Sequence, residues 1–381
     1  MSPTPSLSDL RNAIVQLQAS IRQSALETAK CKALAAPTRT TFSQTNSGLY
    51  ESLIAILKHL RQDVTSLSLS FSGKSVTVDA AVAQVPKVSD HMGRLAACVV
   101  ALPFEGCLVQ EWRLDVAEVA DRLDKYCKAL VAHCDNPPTD TASSSSAPPS
   151  LAPYLLQTSS IWAAIDKMIR ASSVDERSAI KKSWKQDREC MNDAIGEFKD
   201  LLEEDEGVGE EEILNDDSEW AELERELNGG GDLSEVEMQR VKKLDTVVKL
   251  VMVLHNRFLT RILDIPDLLH LPDQLDLSHS ISANFDACVA SLYPPQNTRE
   301  VVQAAQAMID DATQMCELSV KEAGVAQAKE QPDIADQLAG LQVKEDGKEV
   351  DARPHASDLK WLTLWLEQME KACNAWKRTD A

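Results

Sequence analysis

Aromatic residues are scarce: Phe, Trp and Tyr together make up 4% of the 381 residues. With hydrophobic content at 44%, a core must be filled mainly by Leu, Val, Ile and Ala, which suits packed helices. The longest strongly apolar patch, Leu95 to Phe104, is too short to span a bilayer. Met1 to Leu10 has neither a basic start nor an apolar run, so no secretory leader is expected. The nine cysteines include no C-x-x-C pair, which predicts reduced thiols in cytosol or nucleus. Glycine pairs such as Gly207 and Gly209 make no phosphate loop. Basic charge is also short, with 39 Lys and Arg against 60 Asp and Glu. The resulting formal charge of -21 repels phosphate backbones and anionic membranes, which argues against direct nucleic-acid or membrane binding.

What is present is helical periodicity. In the central stretch Ser173 to Glu206, Ser173 and Glu176 have the S-x-x-E spacing of a capping box. Ile180, Trp184, Met191, Ile195, Phe198 and Leu202 then recur on one helical face, opposite Lys181, Lys182, Lys185, Asp187, Arg188 and Asp193. At Glu203 the stripe ends. From there to Glu226, 13 acidic residues face the single base Arg225, a local net charge of -12.

Similar stripes flank this centre. Leu10, Ile14, Leu17 and Ile21 share one face, and Leu49, Leu53, Ile56, Leu60, Val64, Leu67 and Phe71 another. A third helix is predicted from Val78 to Leu102, with Pro86 imposing a kink or a late start. Leu108, Trp112, Val116, Val119, Leu123, Tyr126 and Leu130 make the cleanest stripe, and Ile161, Trp162, Ile165 and Ile169 resume it. Val241, Leu244, Val248, Val251, His255, Phe258 and Ile262 run at coiled-coil spacing, but Val247, Leu250 and Leu254 widen the seam towards a bundle interior. Leu362, Trp365, Met369, Ala372 and Trp376 close the series.

These patterns predict an all-α protein of up-and-down helical bundles in two halves. Residues 1–134 form an N-terminal bundle, 135–153 a Pro/Ser-rich loop, and 154–202 a helix pair completing the first bundle. Residues 203–235 read as an acidic, disordered insertion and 236–320 as C-terminal helices. A charged linker over 321–356 then leads to a docking helix over 357–381.

The run Ser160-Ile161-Trp162-Ala163-Ala164, the central helix, the acidic block and Ala290-Ser291-Leu292-Tyr293-Pro294-Pro295 occur in this order. With the helix around Leu49 to Phe71 and the Trp361-to-Trp376 helix, the chain resembles the cyclin-D-binding protein family of maternal-Id-like, dominant-negative helix-loop-helix regulators. The resemblance implies a vinculin- and talin-type bundle. It also implies a non-enzymatic regulator of cell cycle and transcription that binds D-type cyclins or helix-loop-helix factors; with the reduced thiols, a cytoplasmic and nuclear location is expected. The family's helix-loop-helix segment maps onto Ile161 to Leu202, so the partner-binding candidates are Ile161, Trp162, Ile165, Ile180, Trp184, Met191, Ile195, Phe198 and Leu202. This chain departs from a true zipper in its wide apolar face and in the His255 within its seam. Asp135 to Ser160 contains no Lys or Arg, so a pair formed with a DNA-binding factor would lack one basic arm. The alternative is a cytoskeletal or adhesion-type bundle adaptor.

Readings as an enzyme are weaker. Cys127, His133 and Cys134 lie close in sequence, with Cys98 and Cys107 upstream, but no pair has zinc-ligand spacing. His255 reads as a hydrogen-bonded core histidine, and the acidic run as a solvated face. No catalytic residue, metal or cofactor is assigned.

Overall fold

A computed structural model describes residues 4–30, 47–72, 75–102, 106–136, 152–203, 233–264, 271–330 and 354–377. All regular structure among them is helical. Most of the expected Pro/Ser-rich loop, the acidic insertion and the central part of the charged linker lie outside the described residues.

The chain divides into two compact units, Met1–Ala179 and Ile180–Ala381. The first is built from α1 (Leu7–Lys30), α2 (Ser47–Leu69), α3 (Val78–Val100), α4 (Cys107–Asp135) and α5 (Pro153–Ala171). Helix α1 packs on α3 and α4, α2 on α3 and α5, and α4 on α5. The predicted stripes supply most of this core, although Leu49 and Ile56 on α2 and Trp162 and Ile169 on α5 are only half-buried. On α2, Leu53, Leu57, Leu60, Val64 and Leu67 are wholly buried, each worth about 1.5–3 kcal/mol. Pro86 lies inside α3 without ending it. Six aromatics fill the cores: Trp112 and Tyr126 here, and Trp184, Phe198, Phe258 and Phe285 in the second unit, are fully buried.

Polar contacts set helix direction in the first unit. Arg61 pairs with Asp166 at 3.1 Å, Trp162 Nε1 donates to Thr65 Oγ1 at 3.1 Å, and Ser68 bonds Thr158 at 2.7 Å. Tyr154 then donates to the Phe71 carbonyl at 2.9 Å. The numbers rise on α2 as they fall on α5, so these helices run antiparallel in a fixed register. On α1 and α4, Arg11 with Asp135 and Arg22 with Asp124, each at 2.7 Å, fix a second antiparallel pair.

The second unit holds α6 (Glu176–Glu203) from Ile180 onward, α7 (Glu235–Thr260), a 3-10 turn (Ile262–Asp264), α8 (Leu271–Ala290), α9 (Thr298–Glu330) and α10 (Pro354–Lys377). Ser234 and Glu237 make a full capping box at the start of α7. Helices α8 and α9 pair closely, and α10 packs on α7 and α9. Trp365 Nε1 donates to the Leu250 carbonyl at 2.9 Å, and Arg257 pairs with Asp358, which makes α7 and α10 antiparallel.

Two boundaries differ from expectation. The linker predicted over 321–356 loses both ends, because α9 runs on to Glu330 and α10 begins at Pro354. The residues added to α9 are mainly Ala, Glu, Lys and Gln, strong helix formers that periodicity alone leaves unassigned. The pair 154–202 does not complete the first bundle as a unit. Helix α5 does so, whereas the stripe of α6 is buried in the second unit, where Trp184 bonds α7.

Candidate functional site

The turn between α5 and α6 is the centre of the candidate helix-loop-helix segment, and it is pinned. Trp112 Nε1 donates to the Ser173 carbonyl at 3.1 Å, and the Ser173 amide donates to Glu111 Oε1 at 3.0 Å. Glu176, only 1% exposed, accepts from the amides of Cys107 and Leu108 at 2.6 and 3.0 Å. Those amides open α4, which has no side-chain cap of its own, so a carboxylate distant in sequence supplies it. Burial pushes the Glu176 carboxyl above its ordinary range while the two amides pull it down. The S-x-x-E spacing at Ser173 therefore served a different end from the predicted capping box. Helix α6 is instead capped by Asp175, whose Oδ1 takes the Ser178 amide at 2.7 Å.

The nine partner-binding candidates do not gather on an open face. Ile161 and Ile165 are in the core of the first unit, and Ile180, Trp184, Met191 and Phe198 are buried in the second. Trp162, Ile195 and Leu202 are half-buried. The stripe that would meet a partner is the one that folds each unit. Trp162 has the most developed surroundings: besides its bond to Thr65, its ring lies under the Arg61 guanidinium at 5.1 Å.

The second unit contains a polar network that periodicity did not show. Asp187, placed by its spacing on the polar face of α6, is 8% exposed. Its carboxylate accepts from Ser278 at 2.5 Å and meets His279 Nδ1 at 2.7 Å, while Ser282 donates to its carbonyl at 3.3 Å. Ser278 also bonds His255 Nε2 at 2.9 Å. With the Ser278 hydroxyl donated to Asp187, His255 carries its proton on Nε2. Burial, aided by the nearby Arg188 charge, depresses its pKa to about 3, so the ring stays neutral. The ring lies 4.9 Å from that of Trp184, which stacks on Phe258 at 5.5 Å. Serine stands between the acid and the histidine, so no base sits between acid and nucleophile, and Ser278 is wholly buried. The cluster fixes α6 and α7 against α8. Its one sequence signal was Ser278 and Ser282, a turn apart on a face that also carries Leu275, Ile281 and Phe285.

The other chemical candidates are packed. Cys127 is fully buried and its thiol is pushed up to about 12 by burial. Cys98 and Cys134 are also buried. His133 meets Phe71 and Tyr154 edge-on at 5.7 and 5.2 Å, and burial lowers its pKa. Among the described residues no three His, Cys, Asp or Glu converge as metal ligands.

Residues 52–204 match the family described as Grap2 and cyclin-D-interacting, N-terminal. That stretch is similar to the N-terminal part of the Grap2 and cyclin-D-interacting family. It runs from α2 to the end of α6 and so contains the Glu176 clasp, Trp162 and all nine candidate residues. The Leu292-Tyr293-Pro294-Pro295 run lies beyond it. No curated protein matches the chain.

Proposed function

We propose that this protein is a non-enzymatic regulator that binds a D-type cyclin or a helix-loop-helix factor and restrains cell-cycle progression and transcription, in cytoplasm and nucleus. The match of residues 52–204 to a cyclin-D-interacting family model is the observation that carries the reading. The absence of any Lys or Arg from Asp135 to Ser160 supports sequestration: a factor paired with this chain would be held without a second basic arm. The closed packing of Ile161, Trp184 and Phe198 favours recognition through outer helix faces, as expected for a cyclin, over exchange of α5 and α6 with a helix-loop-helix partner. Capture of purified D-type cyclins on the immobilised full chain, beside a panel of helix-loop-helix factors, tests both arms. Retention of a cyclin is the expected result. Failure of every cyclin and every factor to bind overturns the proposal.

A further inference from the structure

The seam between α2 and α5, within the family match, leaves charged and apolar groups at its surface beside the contacts that set its register. A pocket of about 420 Å³ opens on the outer side of α2, lined by Lys58, Arg61, Gln62, Thr65 and Ser66. Arg61 is held ready there. Its guanidinium lies 5.1 Å over the Trp162 ring, and its Nε is 3.1 Å from Asp166 Oδ1 as an ion pair, without an aligned hydrogen bond. Holding the arginine in advance lowers the entropic cost of using it in recognition. Arg170, exposed one turn beyond Asp166 on α5, lies at the level of Lys58 in the antiparallel register. Three cations thus share the seam with one carboxylate, on a chain whose formal charge is -21.

The apolar part is also placed. Lys58, Gln62, Thr65 and Leu69 fall on one stripe of α2, and Leu69 is 65% exposed. From Lys58 to Leu69 this stripe covers about three helical turns, roughly 16 Å. Cations stand at one end, the half-buried Trp162 indole lies between, and a bare leucine stands at the other. Arg and Trp are the side chains most often found at the energetic centre of protein interfaces.

We infer that the α2–α5 seam is a docking surface for an acidic amphipathic helix of a protein partner, with its carboxylates on Lys58, Arg61 and Arg170 and its apolar face on Trp162 and Leu69. This rests on the protein-binding reading above and names the surface used. A free anion would satisfy the cations but leave Trp162 and Leu69 uncovered.

The test titrates the full chain with a synthetic helical peptide carrying Glu on one face and Leu on the other. A Lys-for-Glu analogue and inorganic phosphate serve as comparisons. Calorimetry reads affinity, and the indole N–H signal lost in W162F reports the seam. The acidic peptide is expected to bind and to shift that signal. The K58E/R170Q protein, altered only at exposed positions, should bind about tenfold more weakly with an unchanged melting temperature. The inference is overturned if the peptide fails to bind, if K58E/R170Q binds it equally well, or if phosphate alone gives the same indole shift. Cyclin capture separates this inference from the broader function. Equal capture by parent and K58E/R170Q removes the seam and leaves the function. Seam-dependent peptide binding without capture of any cyclin or helix-loop-helix factor keeps the seam and removes the function.

Discussion

Gly106 and Glu176 fit together only because Gly106 has no side chain: a β-carbon there would lie 2.4 Å from Glu176 Oε1. A free carboxylate would swing aside, but both oxygens of this one are held by the amides of Cys107 and Leu108. Gly106→Ala should therefore break the clasp and leave buried amides unsatisfied, at a cost of about 1–3 kcal/mol. The measurement is the urea midpoint at constant m-value. A substituted protein as stable as its parent would show that the carboxylate has room to move.

His255 should make stability pH-dependent. Its pKa in the folded chain is about 3 against an ordinary 6.5, so the unfolded chain binds the extra proton first as pH falls. The contribution is complete above pH 6.5 and is lost progressively down to about 3, with a limiting slope of about 1.4 kcal/mol per pH unit. Unfolding free energies at several pH values between 7.5 and 5 should show that decline. His255→Gln should be less stable at neutral pH and show a shallower decline. An equally steep decline in the variant would assign the proton elsewhere.

Asp124 works in the opposite region of pH. Burial raises its pKa, but bonds from Arg22 at 2.7 Å, Lys128 at 2.8 Å and Gln18 at 2.9 Å outweigh that and hold it at about 2. Its stabilisation is present above the ordinary value of 3.8 and disappears as pH falls towards 2. Asp124→Asn should cost about 1 kcal/mol at pH 7, since surface charges are screened. The gap between the two proteins should close near pH 2. A gap that persists there would point to shape rather than charge.

Thiol reactivity should follow burial. The thiols of Cys127, Cys288 and Cys316 are each pushed up to about 12 by burial, whereas Cys190 is exposed. At pH 8 an alkylating reagent should label Cys190 promptly and reach those three only on unfolding. Peptide mapping of the labelled native protein checks this. Early labelling of Cys127 would reopen the reading of a reactive thiol beside His133.

Much of the fold was legible because a period of 3.6 residues is written directly in the positions of Leu, Ile and Val. The stripe of α4 emerged with the residues it buries, and those of α2 and α6 with most of theirs. What a stripe does not carry is an address. Trp184 and Phe198 identify a face that must be covered, but nothing in their spacing says that α7 covers it rather than α5. Asp187 misled for a related reason: an acidic residue beside Arg188 on a helix ordinarily faces water, and its burial depends on Ser278, ninety-one positions away. Glu176 fitted a local motif while serving a distant helix. For the candidate site, periodicity found apolar residues suited to contact, and packing then occupied most of them internally.

The division within α6 bears on any attempt to dissect this protein. A fragment trimmed to the family boundaries at 52 and 204 would discard α1, on which α3 and α4 pack, and would strip Trp184, Met191 and Phe198 of their cover. Such a piece should be sticky, and proteins pulled down with it would report bare hydrophobic surface rather than native recognition. Ending the shorter version after Ala179 and starting from Met1 keeps the Glu176 clasp and removes that hazard.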